Sequence, residues 1–346
     1  FSLFQPADGG AYYFRPSYYV VRNFGEGLRH PELMTWDSLS TYPGTQNKLI
    51  SSGDSLLLAL QAQGSIYYLR IRPDTMTRET LYQGNGAYPA IGIGSDGKLG
   101  MVWIDGGSRL IYTYRDQNGI WSQPVTLLSS DFLSPPALTT VDTSVQIAVA
   151  QRTETEYWSL LFYSFPITTP YNNHDTVATI SGGEGFSQVN LVTLHPSRGV
   201  SWPAIVCKAA DSILIFHSDG TNWMRDTFLL INNLKEVVAS APGGCNVRGS
   251  SYSGTDIDIA YLIGSSVYYQ RVAIGEGGMI TSTYVSPPEQ ITRPIAPYVD
   301  VRNLKILSWG GVPFVFYSVD ILKEYQFDNS FYRDTVLSLI HISEPT

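Results

Sequence analysis

Charge is scarce in this 346-residue chain. Asp, Glu, Lys and Arg make up 15% of it, and 22 basic against 30 acidic side chains leave a net charge of −8. The basic residues are scattered, so the basic stripe that a nucleic-acid surface needs is missing. No apolar run reaches the roughly 18–20 residues of a membrane-spanning helix. There are two cysteines, Cys207 and Cys245. They fall in neighbouring units of the repeat described below, where a single disulfide and a pair of core thiols both fit. Outside the last ten residues the histidines are His30, His174, His195 and His217, isolated in sequence. No Gly-x-Ser-x-Gly elbow, His-Glu-x-x-His or P-loop occurs, so neither a metal nor a cofactor is expected. Amphipathic stretches of helix length are also missing. The apolar segments are short, rich in β-branched and aromatic residues, and bounded by Gly, Asp and Ser.

What is present points to β structure with a sizeable core. The chain is 43% hydrophobic and 13% aromatic, with 23 Tyr, 31 Gly and 20 Pro. Such a content of apolar side chains excludes global disorder, and the Tyr, Gly, Ser and Thr favour strands and tight turns. Both ends look artificial. The chain opens at Phe1 without Met or a signal-peptide pattern. Residues 337–346, Leu337 to Thr346, resemble a translated sequencing adapter and are set aside as a non-native tail. The natural protein is then expected to continue past Val336.

One pattern returns six times. A first strand, often with Pro at its start, is followed by a polar turn, a hydrophobic strand, another turn and an aromatic strand. A variable outer segment ends each unit. The aromatic strands read Ser65–Arg70, Leu110–Arg115, Leu160–Phe165, Ile213–His217, Ser266–Arg271 and Pro313–Tyr317. Their spacing lies in the range of propeller blades. The strand before each is apolar, as in Leu56-Leu57-Leu58-Ala59-Leu60. Continuous rather than alternating apolar character means burial on both faces. The chain is therefore expected to be all-β, a β-propeller of six or seven four-stranded blades. The blades span about 42–87, 88–133, 134–185, 186–238, 239–291 and 292–336. Residues 1–41 carry strand-like runs at Ala11–Phe14 and Tyr18–Arg22 and a Trp at position 36. They form a partial seventh blade or a segment that closes the ring, since an open ring exposes two sheet edges.

Some of these units carry a further signature. Arg115-Asp116-Gln117-Asn118-Gly119-Ile120-Trp121 and Ser218-Asp219-Gly220-Thr221-Asn222-Trp223 follow the aromatic strands of the second and fourth units. They resemble degenerate Asp-boxes of the sialidase-like propellers, in the turn between third and fourth strands. The resemblance implies a structural role for Asp116, Gly119, Trp121, Asp219, Gly220 and Trp223, with Asp accepting backbone hydrogen bonds and Trp packing between sheets. It also implies an extracellular or cell-surface setting. Sialidase chemistry in that family requires an arginine triad, a Tyr nucleophile with its Glu, and an Asp acid/base. Phe14-Arg15-Pro16 and Thr292-Arg293-Pro294 only approach the family's first arginine motif, and Arg248, Arg271 and Arg302 are not identified by any spacing.

Other chemistry is weighed on the residues alone. Asp256 and Asp258 alternate along a strand and so share a face, as an acid/base pair, a cation site or a polar strand start. Glu184, Asp300 and Glu289 have no evident partners. Gly92-Ile93-Gly94-Ser95-Asp96-Gly97 matches a dinucleotide pattern but precedes a strand, and reads as a hairpin turn. The reading that results is a non-catalytic propeller, a monomeric module of a larger bacterial surface protein, with a glycan or protein ligand. Aromatic side chains stack on sugars and anchor interfaces. Tyr42, Tyr88, Gln188, Asn190, Arg248 and Arg293, near the starts of innermost strands, are the binding candidates, with channel filling as their other reading. The alternative is a sialidase-like glycoside hydrolase with its site in the central funnel, because the fold hosts both.

Overall fold

The computed structural model describes residues 46–52, 55–72, 75–154, 157–181, 185–197, 200–241, 255–274, 286–291, 298–309, 312–325 and 330–341. All regular structure among them is strand. The first sheet runs β1 (Gln46–Ser52), β2 (Ser55–Ala62), β3 (Ser65–Ile71) and β4 (Met76–Tyr82), and the second β5 (Gly86–Ile93), β6 (Leu99–Asp105), β7 (Arg109–Arg115) and β8 (Val125–Ser129). In the third, β9 (Phe132–Leu133) adds to β10 (Ala137–Val141), β11 (Ser144–Glu154), β12 (Tyr157–Pro166) and β13 (Asp175–Ser181). The fourth holds β14 (Phe186–Ser197), β15 (Val200–Ala209), β16 (Ser212–Ser218) and β17 (Trp223–Leu230). The fifth holds β18 (Leu234–Ser240), β19 (Asp256–Ile263), β20 (Ser266–Ala273) and β21 (Glu289–Gln290). The sixth has three strands among the described residues, β22 (Tyr298–Trp309), β23 (Val312–Tyr325) and β24 (Ser330–His341).

Each sheet is an antiparallel meander in sequence order. The first strand of each sheet touches the first strand of the next: β1 meets β5, β5 meets β10, β10 meets β14, β14 meets β18 and β18 meets β22. Sheets that each contact their sequence neighbours edge-in and face-on are the blades of a β-propeller. The apolar second strands show why. Leu57 and Ala59 pack toward Met101 and Trp103 of the second sheet, while Leu58 and Leu60 pack with Leu69 on the opposite face. In the second sheet Met101 and Trp103 face the first sheet and Val102 and Ile104 face the third. Full burial of a Leu or Ile side chain contributes about 1.5–3 kcal/mol. A strand with two such faces is held by both neighbours at once.

Turn chemistry sets the register. Gln63 and Gly64 both have left-handed φ, 50° and 77°, as a two-residue hairpin between right-twisted strands requires. Gly64 has a second reason to lack a side chain, because a Cβ there would lie 2.2 Å from the carbonyl oxygen of Gly84. The Gly92–Gly97 stretch is the hairpin turn between β5 and β6, with the Gly94 N–H donating to the Lys98 carbonyl at 2.9 Å.

The fifth blade begins earlier than the sequence reading placed it. Residues 234–238, expected in the outer part of the fourth unit, belong to β18, the first strand of the fifth sheet. Val237 packs toward the fourth sheet and Val238 toward the sixth, which is the two-faced burial of an inner strand. No Pro or aromatic marks its start, so the sequence signal fell on the Gly-rich run 242–245 instead, outside the described residues. Residues 1–41 and their strand-like runs also lie outside them. Leu337–His341 extend β24 along β23. An apolar string beside an edge strand completes a ladder whatever its origin, so this pairing bears on geometry alone.

Candidate functional site

Directly opposed residues of antiparallel strands share a face. In the first sheet Ala59 lies opposite Tyr68, and Tyr68 opposite Glu79. The small Ala leaves room for the ring, and the acid flanks it on the outer strand. The second sheet completes the cluster with Arg115 and Trp121. Trp121 meets Tyr68 edge-on, with ring centroids 5.4 Å apart and planes at 70°. The Trp121 Nε1–H donates to Glu79 Oε2 at 2.9 Å, and Arg115 Nη2 donates to Glu79 Oε1 at 2.7 Å. The guanidinium carbon lies 5.2 Å from the Tyr68 centroid and 6.0 Å from that of Trp121, in cation–π range. Arg115 Nε is buried without an acceptor. The Arg115 and Glu79 side chains are 20% and 34% exposed, so the pair reaches the surface where the first two blades meet. Burial is the main cause that pushes the Tyr68 phenol up, partly offset by Arg115.

The turn before Trp121 holds it in place. Asp116 Oδ1 accepts the Ile120 N–H at 2.8 Å, the Gly119 N–H donates to the Asp116 carbonyl at 3.1 Å, and Gly119 takes a φ of 83°. The same construction recurs in the fourth sheet. Asp219 Oδ1 accepts the N–H groups of Thr221 and Asn222 at 2.8 and 3.0 Å, which hold its carboxyl below the usual range, and Gly220 has a φ of 93°. Trp223 then meets Phe162 of the third sheet edge-on at 5.0 Å. Phe162 lies opposite Ala148 and Asp175, as Tyr68 lies opposite Ala59 and Glu79. A third row, Ala260–Tyr269–Glu289, occupies the fifth sheet.

The residues proposed on innermost strands divide into three groups. Tyr42, Arg248 and Arg293 lie outside the described residues. Tyr88 sits at a bulge in β5 with a φ of 53° and is 42% exposed. Gln188, at the corresponding bulge in β14 with a φ of 50°, and Asn190 bond the next blade. Gln188 accepts the Val237 N–H at 2.7 Å and donates to the Lys235 carbonyl at 2.8 Å. Asn190 donates to the Gln188 and Val237 carbonyls at 2.7 and 3.1 Å. These amides join blade four to blade five.

Glu236 makes the corresponding link from blade five to blade six, accepting the N–H groups of Leu304 and Asn303. Burial is the largest influence on it and raises its carboxyl pKa despite those bonds and Lys305. A raised folded-state pKa means that the native state holds the proton more tightly than the unfolded chain. Stability attributable to Glu236 therefore falls as pH rises from the ordinary carboxylate range, and the loss is complete above the raised value. Glu236→Gln keeps an acceptor and removes the charge. The variant should gain stability relative to the parent at pH 7 and lose that advantage at pH 4, in paired urea titrations. An equal difference at both pH values would contradict this account.

Asp258 and Asp256 do not present a matched carboxylate pair. Asp258 is fully buried and accepts Tyr269 Oη at 2.7 Å and Arg271 Nε at 2.8 Å. Glu289 and Arg302 are exposed, and Glu184 and the Asp300 side chain lie outside what is described. Among the described residues no group of three or more His, Cys, Asp or Glu is placed to hold a metal. Cys207 is a buried thiol whose pKa burial pushes up to about 12, and Cys245 lies outside the described residues. Sequence reasoning gave Trp121 and Trp223 a structural role only and did not single out Tyr68, Glu79 or Arg115. Aligning the units by strand pairing would have exposed the recurring Ala–aromatic–acid row.

No family model and no curated protein matches the chain in sequence. Solved structures match it in fold alone. A mutant of Aleuria aurantia lectin in complex with Fucα1-6GlcNAc is 12% identical over 87% of this chain and 96% of the lectin chain, with a TM-score of 0.51. The shared feature is the propeller fold. A mutant of NanB sialidase from Streptococcus pneumoniae is 9% identical over 87% of this chain and 68% of its own, with a TM-score of 0.54. Another structure of the lectin, described as a six-bladed β-propeller with a novel fucose recognition mode, aligns at a TM-score of 0.49. No helix among the described residues is long and apolar enough to cross a membrane.

Proposed function

We propose that this protein is a non-catalytic glycan-binding propeller, displayed outside the cell, whose first site is the inter-blade cluster of Glu79, Arg115 and Trp121 over the buried Tyr68. The observation that carries the reading is the shared carboxylate. Glu79 is fixed by both Arg115 and Trp121 beside an aromatic pair, and is one-third exposed. A carboxylate and a guanidinium held together offer acceptors and donors to vicinal hydroxyls, and the indole edge offers apolar surface to a sugar ring. Both polar groups are already oriented by each other, so little side-chain entropy is lost on binding. The lectin and sialidase likenesses agree in fold with a carbohydrate ligand. Tyr88 is the inner-strand residue that remains a candidate for a second contact.

A glycan array probed with the protein tests this reading. The positive glycans should lose at least tenfold in affinity for Glu79→Gln, measured in protein shown by circular dichroism to be folded. Retention of full affinity by Glu79→Gln and by Trp121→Ala would reject the site. The runner-up, a glycoside hydrolase, draws on the likeness to NanB sialidase. Turnover of a chromogenic sialoside by the purified protein would establish it over simple binding.

A further inference from the structure

The third sheet carries an open cleft of about 480 Å³ lined by Phe162, Ser164, Tyr171, Asn173, His174 and Asp175. Strand pairing places Phe162 and Asp175 where the first sheet has Tyr68 and Glu79. The facing indole is Trp223 in place of Trp121. One member differs. The bridge partner of Trp121 is Arg115, whereas Trp223 pairs with Ser218. In the first cluster the protein's own guanidinium lies over the aromatic pair and against the carboxylate. In the second the aromatic pair and carboxylate recur with a neutral serine as the bridge partner, and of these residues Phe162 and Asp175 line the cleft. Arg225, two residues beyond Trp223, is exposed and does not line the cleft.

The lining favours a donor-rich cation. His174 lines the cleft, and its Nδ1 lies 3.2 Å from the Asn172 carbonyl, an acceptor, so that nitrogen is turned to the backbone. Asp175 is acceptor-only when ionised, and Ser164 and Asn173 supply further oxygen acceptors. Tyr171, anchored through its hydroxyl to the Ser164 carbonyl, and Phe162 provide aromatic walls. An ammonium group brings three N–H donors to such acceptors and gains from an adjacent aromatic face. The amide and hydroxyl groups around it suit a polyol.

We infer that the Phe162–Asp175 cleft of the third blade is a separate site for a sugar bearing a free amine, the guest ammonium held between the Asp175 carboxylate and the aromatic walls. This does not depend on glycan binding at Glu79. Glucosamine, N-acetylglucosamine, glucose and free lysine are titrated calorimetrically into the intact protein. Glucosamine should bind at least tenfold more tightly than N-acetylglucosamine or glucose, and more tightly than lysine. Asp175→Asn should abolish the glucosamine preference, and His174→Ala should weaken it. Asp175 is exposed at a strand start, so its variant is expected to fold. Equal binding of glucosamine and N-acetylglucosamine would overturn the proposal, as would an unchanged preference in Asp175→Asn. Lysine binding as tightly as glucosamine would overturn the sugar assignment in favour of a basic peptide. The array signal lost in Glu79→Gln is scored separately, so each site stands or falls alone.

Discussion

Trp103→Ala should lower the unfolding free energy by about 3–5 kcal/mol, while Trp103→Phe should cost only about 1 kcal/mol. Trp103 is 0% exposed in the middle of β6, and packs with Leu57, Ile66 and Met101 between the first two blades. Tyr82 lies against it with centroids 5.7 Å apart. Removing the whole indole opens a cavity in a sheet-to-sheet interface, and strands hydrogen-bonded on both sides cannot collapse to fill it. The indole also carries a liability, because its Nε1–H is buried with no acceptor. Phenylalanine discards that unsatisfied donor while keeping most of the ring, so part of the lost packing is offset. Urea unfolding monitored by circular dichroism separates the two variants. A cost for Phe as large as that for Ala would mean that the Nε1–H is bonded in solution. The Ala variant should also weaken glycan binding, since Tyr68 and Trp121 belong to the same interface. Trp103 acts there as a positioning residue and touches no ligand.

The blade repeat was readable because two-faced burial leaves a local trace. Leu56–Leu60 is continuously apolar since its odd and even residues serve different interfaces. The turns left a trace as well, in Asp116–Gly119 and Asp219–Gly220. The cluster at Glu79 left none within a single unit. Its carboxylate, ring, indole and guanidinium come from β4, β3, the turn before β8 and the end of β7, and only pairing register and sheet packing bring them together. Glu79 in isolation is one more acid on a half-exposed outer strand. Gln188 and Asn190 show the opposite limit. Polar side chains near converging strands have the composition of a ligand site, but here the backbone at 235 and 237 of the next blade takes up their hydrogen bonds. A bulge frees the neighbouring carbonyl and N–H groups, and an amide is the side chain that can answer both. Sequence alone does not show whether a ligand or a neighbouring strand fills that role.

Asp258→Ala should destabilise the fold by about 3 kcal/mol, with Asp258→Asn in between. The carboxylate is 0% exposed and is neutralised by Arg271, whose side chain is 21% exposed, while the Tyr269 hydroxyl donates to the same Oδ1. A second polar chain runs alongside, from Tyr261 Oη to Gln270 Oε1 at 2.7 Å and from Gln270 Nε2 to the Ser286 carbonyl at 2.8 Å. Removing Asp258 strands a buried phenol and a guanidinium that is only partly able to rehydrate, and the partial exposure of Arg271 keeps the cost below that of a fully buried pair. A double-mutant cycle with Arg271→Ala isolates the coupling. The double variant should be less damaged than the sum of the singles, because the uncompensated charge disappears with its partner. The same series bears on chemistry. An acid/base carboxylate would lose turnover in Asp258→Asn while the protein stayed as stable as the parent. A carboxylate whose acceptor capacity is committed to Tyr269 and Arg271 should show the reverse, a fall in the urea midpoint with any glycan affinity retained. Parent-like stability in Asp258→Ala would remove the structural reading and return Asp258 to the candidates for catalysis.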